Sequence, residues 1–324
     1  MILVADVGGT NSRFALATAR GIEEVHTYPS MSAPGIEPLL ASYLARTRAR
    51  PATLSLAVAG PVAGGVCTAT NLPWIVDAGR IEAHLHTLGL AASVAVINDF
   101  EAIAWGVREV PAAMLSTLQV GEPERDGPLA ILGAGTGLGE ALAVPGPAGE
   151  LRVIPTEGGH ADLAPRNADE DALLAFLRTR FPDHVSYERV LSGPGLATLF
   201  EHLAPAGDER EAVLSATDPA REVIARQQDS AVCRRAAELF VDLLGAEAGN
   251  LALKSLPTGG LYLAGGMAPR LRELVESRLL DAFLAKGRMR RVLARIPVRL
   301  VLDGHVGLRG AAARVVATGR GPLE

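Results

Sequence analysis

Ile2-Leu-Val-Ala-Asp-Val-Gly-Gly-Thr-Asn-Ser-Arg-Phe-Ala-Leu-Ala17 and Leu129-Ala-Ile-Leu-Gly-Ala-Gly-Thr-Gly-Leu-Gly-Glu-Ala-Leu-Ala-Val144 carry one pattern twice. Each is an apolar run, a glycine-rich turn with a threonine, and a second apolar run. That pattern predicts strand, tight turn, strand. The glycines let several backbone N–H groups point outward together and let a phosphate come close. Thr10 and Thr136 add hydroxyl donors. One such turn alone reads as an ordinary hairpin. Two in matching halves point to a two-sided grip on a polyphosphate.

Outward from the first hairpin (Ile2–Val7, Ser12–Thr18), the pattern predicts a strand over 24–31 and a helix over 36–48. A buried strand follows over 53–59, ended by Gly60-Pro61. Asp77 reads as the N-cap of a helix over 78–88. A strand over 93–97 ends at Asn98-Asp99, and a helix follows over 101–107. The boundary between halves falls near Val110–Pro111. From the second hairpin the prediction is a strand over 150–154 and helices over 168–180, 195–202, 208–227 and 230–256. Strands over 260–264 and 298–302 and a helix over 308–317 complete it. Both halves run from hairpin through helix to an apolar strand ending in Ala-Gly, at 59–60 and at 264–265. Strands and helices alternate in both, so the class is α/β, with ligand expected in a cleft between the halves.

With 324 residues, 48% of them hydrophobic, the chain has room for two domains with substantial cores. A net charge of −5 carries no signature of a nucleic-acid surface. Only Lys254 and Lys286 are lysines among the 31 basic residues, an arginine bias expected of a GC-rich coding genome. Cys67 and Cys233 match no metal-ligand spacing and fit a reducing, cytoplasmic setting. The uncharged stretch over 51–76 is broken by Pro51, Pro61 and Pro73 and by several glycines, so a membrane span is not expected.

No Gly-x4-Gly-Lys-Ser/Thr loop is present, so phosphate charge must be met by backbone dipoles and a metal ion. Asp6 is an acid inside an apolar strand. It fits a Mg²⁺ ion held through water, or a hydrogen bond to the turn. Asp99, at a strand end, can take a proton from an attacking hydroxyl or can simply cap the next helix. Asn98 beside it can donate and accept toward a polyol. Glu157 and His160 flank Gly158-Gly159, a turn able to present a carboxylate and an imidazole to vicinal hydroxyls. Glu188 adds an acid shortly before Ser192, which reads as a helix start. Gly265-Gly266 follow a strand and leave bare backbone for an adenine, and Gly307–Ala312 is a small-faced segment suited to close packing.

Taken in order, Asp-Val-Gly-Gly-Thr-Asn (6–11), Ala-Gly-Pro (59–61), Asn-Asp-Phe (98–100) and Gly-Thr-Gly-Leu-Gly (135–139) resemble the bacterial glucokinase family. Glu-Gly-Gly-His (157–160), Ser-Gly-Pro-Gly-Leu (192–196) and Ala-Gly-Gly (264–266) continue the match. The resemblance runs from residue 2 to about 317. It implies the actin-like, hexokinase-type ATPase fold, a duplicated ribonuclease H-like architecture with the active site between domains. The small domain would comprise 1–110 plus 306–324 and the large one 111–305. It further implies that Asp99 is the general base for the 6-hydroxyl of glucose and that Asn98, Glu157, His160 and Glu188 hold the other hydroxyls. The phosphates of ATP would lie between Gly8, Gly9, Thr10 and Asn11 on one side and Gly135, Thr136 and Gly137 on the other. Adenosine would lie near Gly265 and Gly266, with Mg²⁺ at Asp6.

A cytoplasmic homodimer is implied as well. No zinc is expected, because the cysteine-rich site of the related repressor-and-kinase group has no counterpart here. Ser12 and Glu140 depart from the family pattern. Glu140 places a charge where an apolar residue is usual, and an effect on nucleotide affinity is expected. Two alternatives share the fold: a kinase for another hexose or amino sugar, and a non-catalytic sugar-binding regulator. The second should lack the base or carry a DNA-binding extension, whereas Asp99 is present and only four residues precede Ala5.

Overall fold

In a computed structural model, which describes residues 1–146 and 150–319, the chain divides into two compact units. The first takes Met1–Met114, Pro145–Pro155 and the C-terminal segment from Asp303. The second takes Leu115–Val144 and Thr156–Leu302. The sequence reading puts 145–155 with the larger unit. Residues 320–324 of its small domain lie outside the described residues.

The first unit opens with β1 (Ile2–Val7), β2 (Asn11–Thr18) and β3 (Gly21–Pro29), then α1 (Ile36–Thr47) and β4 (Thr53–Val58). A small sheet of β5 (Val62–Ala63), β6 (Val66–Thr68) and β7 (Ile75–Asp77) leads into α2 (Ala78–Thr87), β8 (Ser93–Asn98) and α3 (Asp99–Gly106). The main sheet is ordered β3-β2-β1-β4-β8. β1 pairs antiparallel with β2 and parallel with β4, and β4 pairs parallel with β8. β4 is buried along its whole length, as a central parallel strand should be. Asp77 caps α2 through the N–H groups of Gly79 and Arg80, as its sequence position predicts.

The second unit begins with β9 (Leu115–Gln119), β10 (Leu129–Ala134) and β11 (Leu138–Pro145); β12 (Leu151–Thr156), most of it in the 145–155 segment grouped with the first unit, pairs into the same sheet. Helices α4 (Ala168–Arg180), α5 (Gly193–Leu203), α6 (Asp208–Leu214), α7 (Pro219–Arg226) and α8 (Ala231–Ser255) follow. The unit closes with β13 (Gly260–Ala264), α9 (Met267–Arg270), α10 (Arg272–Leu284), α11 (Arg290–Leu293) and β14 (Val298–Val301). Its sheet runs β12-β11-β10-β13-β14-β9. The first five strands repeat the order of the first sheet, and β10, β11, β13 and β14 pair with the same polarities as their counterparts β1, β2, β4 and β8.

The chain then enters the first unit again as α12 (Val306–Ala317). It packs its small face on α3. A Cβ on Gly310 would overlap the Ala102 carbonyl, and one on Gly106 would overlap that of Val306. The small-residue segment thus serves helix contact. No described helix is long and apolar enough to cross a membrane.

The sequence reading has no counterpart of β5–β7 or of helices α9, α10 and α11, and two further differences are local. The single helix expected over 208–227 is two, because Pro219 starts α7 behind the Asp218 cap. β9 was not expected. It is a half-buried edge strand with weak alternation, held antiparallel to β14 far along the chain.

Candidate active site

Three parallel strands of the first sheet end in register: Val7 lies opposite Val58, and Val58 opposite Asn98. The Gly8-Gly9 turn, Gly60 and the Asn98-Asp99 pair therefore share the C-terminal edge of one sheet, where open α/β sheets hold ligands. The turn is fixed from several sides. Gly8 N–H donates to the Asn11 carbonyl at 3.0 Å and Ser30 N–H to that of Thr10 at 2.9 Å. Ser30 Oγ donates to the Gly8 carbonyl at 2.7 Å and pairs with the buried Ser12 Oγ at 2.9 Å. Ser12 is thereby explained as a brace. A Cβ on Gly9 would sit 2.8 Å from Asn71 Cβ, so Asn71, unnoticed in sequence, walls the turn. Thr10 and Asn11 are exposed.

Asn98 caps α3: its Oδ1 accepts from the N–H groups of Phe100 and Glu101, and its Nδ2 donates to the Gly60 carbonyl at 3.0 Å. Asp99 is the first residue of the helix proper, and its Oδ1 accepts from Phe100 N–H at 2.9 Å. The capping role considered for Asp99 is thus filled mainly by Asn98. Asn98 retains one N–H for a ligand.

Asp6 stands on β1 opposite Arg13, whose Nη1 lies 3.5 Å from its Oδ2. Burial pushes its carboxyl above the usual range, and Arg13 and His305 pull the other way. His305 and Gly307, at the start of α12, face this carboxylate. Their role was not legible in sequence, because some three hundred residues separate them from Asp6. Among the described residues no three His, Cys, Asp or Glu side chains group to hold a metal. A lone, partly exposed carboxylate suits Mg²⁺, which keeps most of its water and leans on phosphate oxygens.

In the second unit β10 and β13 end side by side, Gly133 opposite Ala264. The Gly135-Thr136-Gly137 turn and Gly265-Gly266 thus form one glycine-lined edge. Gly265 has φ +81°, and a Cβ there would overlap the Ala134 carbonyl, so glycine is required. Beyond Gly135 and Gly266 the space is open within 4 Å, as a cradle for a nucleotide needs. The turn is wired to the next motif. Gly193 N–H donates to the Gly135 carbonyl at 2.8 Å, and Leu138 N–H to Glu188 Oε2 at 2.9 Å.

Glu157 and His160 bracket a short 3-10 turn (Gly158–His160). Both are largely exposed, with Glu157 Oε2 4.0 Å from His160 Nε2. Glu188 lies in a second turn (Tyr187–Arg189), and the two turns are tied by Tyr187 N–H to the Ala161 carbonyl at 3.0 Å. The structure therefore brings Glu157, His160, Glu188 and the Gly135–Gly137 turn into one neighbourhood. Ser192 caps α5 through Gly195 N–H, as expected. Glu140 is buried on β11. It faces Gly158 and Glu247 rather than the turn it follows.

The Glu188 link makes a prediction. A Cβ on Gly137 would lie 2.5 Å from Glu188 Oε2 and so displace that carboxylate from Leu138 N–H. A charge-assisted hydrogen bond of this kind contributes about 1.5–3 kcal/mol. If the glycine turn holds ATP and Glu188 a sugar, as the resemblance implies, Gly137→Ala is expected to raise KM for both together, each by roughly tenfold or more. Steady-state kinetics in both substrates check it; a rise in KM for ATP alone contradicts the link.

The fold and these two edges define an α/β phosphotransferase of the sugar-kinase class. A solved glucokinase from an Antarctic psychrotroph superposes with a TM-score of 0.79 at 33% identity, covering 97% of this chain and 98% of that one. The sequence model of the Glucokinase family matches residues 3–318. The glucokinase of Chromobacterium violaceum is 42% identical over 318 residues, 97% of this chain and 88% of that protein. That of Nostoc sp. is 37% identical over 339 residues, 96% and 98% of the two. The chain belongs to the glucokinase family, and its activity is ATP-dependent phosphorylation of glucose.

Proposed function

We propose that Asp99 is the general base of that reaction, taking the proton from the 6-hydroxyl as its oxygen attacks the γ-phosphorus of ATP in line. The observation that carries this reading is the common end of β1, β4 and β8. It puts the Gly8-Gly9 turn and the Asp99 carboxylate on the same sheet edge. Asn98, its Oδ1 committed to the helix, offers its remaining N–H to a sugar hydroxyl. Glu157, His160 and Glu188 hold further hydroxyls. Their carboxylates accept and the imidazole does either, so an array of sugar O–H groups can be matched without a formal charge on the substrate.

Backbone N–H groups of Gly9, Thr10, Thr136 and Gly137, with the Thr10 and Thr136 hydroxyls, meet the phosphate oxygens, those of Gly8 and Gly135 being spent on closing their own turns, and the bare backbone at Gly265-Gly266 receives the adenosine. Such fixed dipoles stabilise charge on the transferring group without reorganising during the reaction. Asp6 would hold Mg²⁺ through water; bound there, the ion would neutralise β- and γ-phosphate charge. The small and large units are read as a duplicated ribonuclease H-like pair, 1–110 with 306–324 and 111–305, in the actin-like class. A homodimer and a cytoplasmic setting complete the reading. The strand orders of the two sheets support the duplication.

Asp6→Asn tests the metal assignment. It should raise the Mg²⁺ concentration for half-maximal rate by about tenfold or more and leave KM for glucose near the wild-type value. An unchanged Mg²⁺ requirement removes Asp6 from that role.

A further inference from the structure

Glu140 and Glu247 form a buried acid pair outside the groups assigned above. Glu140 is 3% exposed and Glu247 is fully buried, and the two carboxyls lie near enough to repel each other when both are charged. A proton held between them removes that repulsion, since one carboxyl can then donate to the other. Oε1 of each has no hydrogen-bond partner among the described residues.

The pair touches both turns of the candidate sugar site. A Cβ on Gly158 would overlap Glu140 Oε2, so the backbone between Glu157 and His160 rests on this carboxyl. Thr156 Oγ1 also donates to the Glu140 carbonyl at 3.0 Å. On the other side Asn250 Nδ2 donates to Glu247 Oε2 at 2.8 Å and to Tyr187 Oη at 3.0 Å, and Tyr187 precedes Glu188. Both lysines of this arginine-rich chain converge here. Lys254 Nζ lies 3.9 Å from Glu247 Oε1, and Lys286 Nζ donates to Asn250 Oδ1.

We propose that Glu140 is a positioning residue: the proton it shares with Glu247 seats the Glu157–His160 turn for glucose, and loss of that proton loosens the sugar site. The proposal rests on the reading that this turn holds glucose.

The charged and titratable groups around the pair set the direction. Glu247 and Lys254 face Glu140 from α8. Tyr187 faces Glu247, and Lys286, itself flanked by Arg166 and Glu170, completes the surroundings. Burial first, and then Glu247, pushes the Glu140 carboxyl from 4.5 up to about 7, with Lys254 opposing. The folded protein therefore keeps this proton where an unfolded chain has lost it. The stabilisation is complete below 4.5 and is lost as pH rises through about 7. Above that, two carboxylates repel in a poorly solvated site, and the nearest atoms free to yield are those of the turn at Gly158.

KM for glucose of the wild type is expected to rise about tenfold between about pH 6.5 and 9, the linkage equivalent of one pKa unit between free and sugar-bound enzyme. KM for ATP should stay level. In Glu140→Gln the amide donates to Glu247 permanently, so its KM for glucose should stay low and flat over that range. Calorimetry of glucose binding near pH 8, in buffers of different ionisation enthalpy, should show proton uptake by the wild type and none by Glu140→Gln. A pH-independent wild-type KM, absence of proton uptake by the wild type, or a Glu140→Gln profile that follows the wild type overturns the proposal. Glu157→Gln separates the two readings. If it leaves KM for glucose unchanged at every pH, the turn does not hold glucose. If it raises KM while Glu140→Gln still follows the wild type, only the role of Glu140 fails.

Discussion

Asp99→Asn is expected to lower kcat by roughly a hundred- to ten-thousand-fold, the range that a positioned general base contributes, with KM for glucose within a few-fold of wild type. The split follows from the local structure. Asn98, not Asp99, supplies the main cap of α3, and Asn98 also ties the helix start to Gly60. Replacing Asp99 by its isosteric amide keeps a polar group at the first turn and costs at most about 1 kcal/mol of helix-dipole interaction. The fold should therefore survive while the basic atom is lost. Removing an interaction made only in the transition state lowers kcat and kcat/KM together. Equal rates for Asp99→Asn and wild type would remove Asp99 as base. A matching loss in Asp99→Asn and in thermal stability would assign it a structural role instead.

Gly310→Ala is expected to be the most damaging small substitution in the first unit. The new methyl would overlap the Ala102 carbonyl and lie 2.6 Å from Gly106 N. Both are helical backbone atoms that cannot rotate away, so α12 must move off α3. Overpacking of this kind costs typically 1–3 kcal/mol or somewhat more. The gain in helix propensity from glycine to alanine is about 0.5–1 kcal/mol and offsets only part of it. A net loss near 2 kcal/mol corresponds to a fall in Tm of roughly 3 °C for a protein of this size. Because α3 carries Asp99 at its first position, kcat should fall as well. Gly304→Ala is the control: nothing lies within 4 Å of its Cβ position, so its stability should stay within about 0.5 kcal/mol of wild type. Equal melting temperatures for Gly310→Ala and Gly304→Ala would contradict the close packing of α3 and α12.

What could be read from sequence was what is local. The two glycine turns, the caps at Asp77 and Ser192 and the fully buried strands β4, β10 and β13 are each decided by a handful of adjacent residues. Pro219 is visible in the sequence as well, but the helical periodicity on both sides of it masks the end of one helix and the start of the next. β9 was invisible because its partner strand is β14, and a half-buried edge carries little pattern of its own. The candidate site divides in the same way. Motif residues were named because they sit in short runs. The groups that address them through space (His305 and Arg13 at Asp6, Asn71 at Gly9, Glu247 at Glu140) belong to other segments. Glu140 shows the limit most clearly. In sequence it is a stray charge beside a nucleotide turn. In the fold it is the floor of the turn that bears Glu157 and His160.

The most direct test of the account is ADP release from Mg·ATP in the presence of glucose and of 6-deoxyglucose, with identification of the phosphorylated product. The account predicts glucose-dependent ADP release matched mole for mole by glucose 6-phosphate, and no stimulation by 6-deoxyglucose, which lacks the attacked hydroxyl. ADP release that no hexose stimulates, or that 6-deoxyglucose supports as well as glucose does, would contradict it.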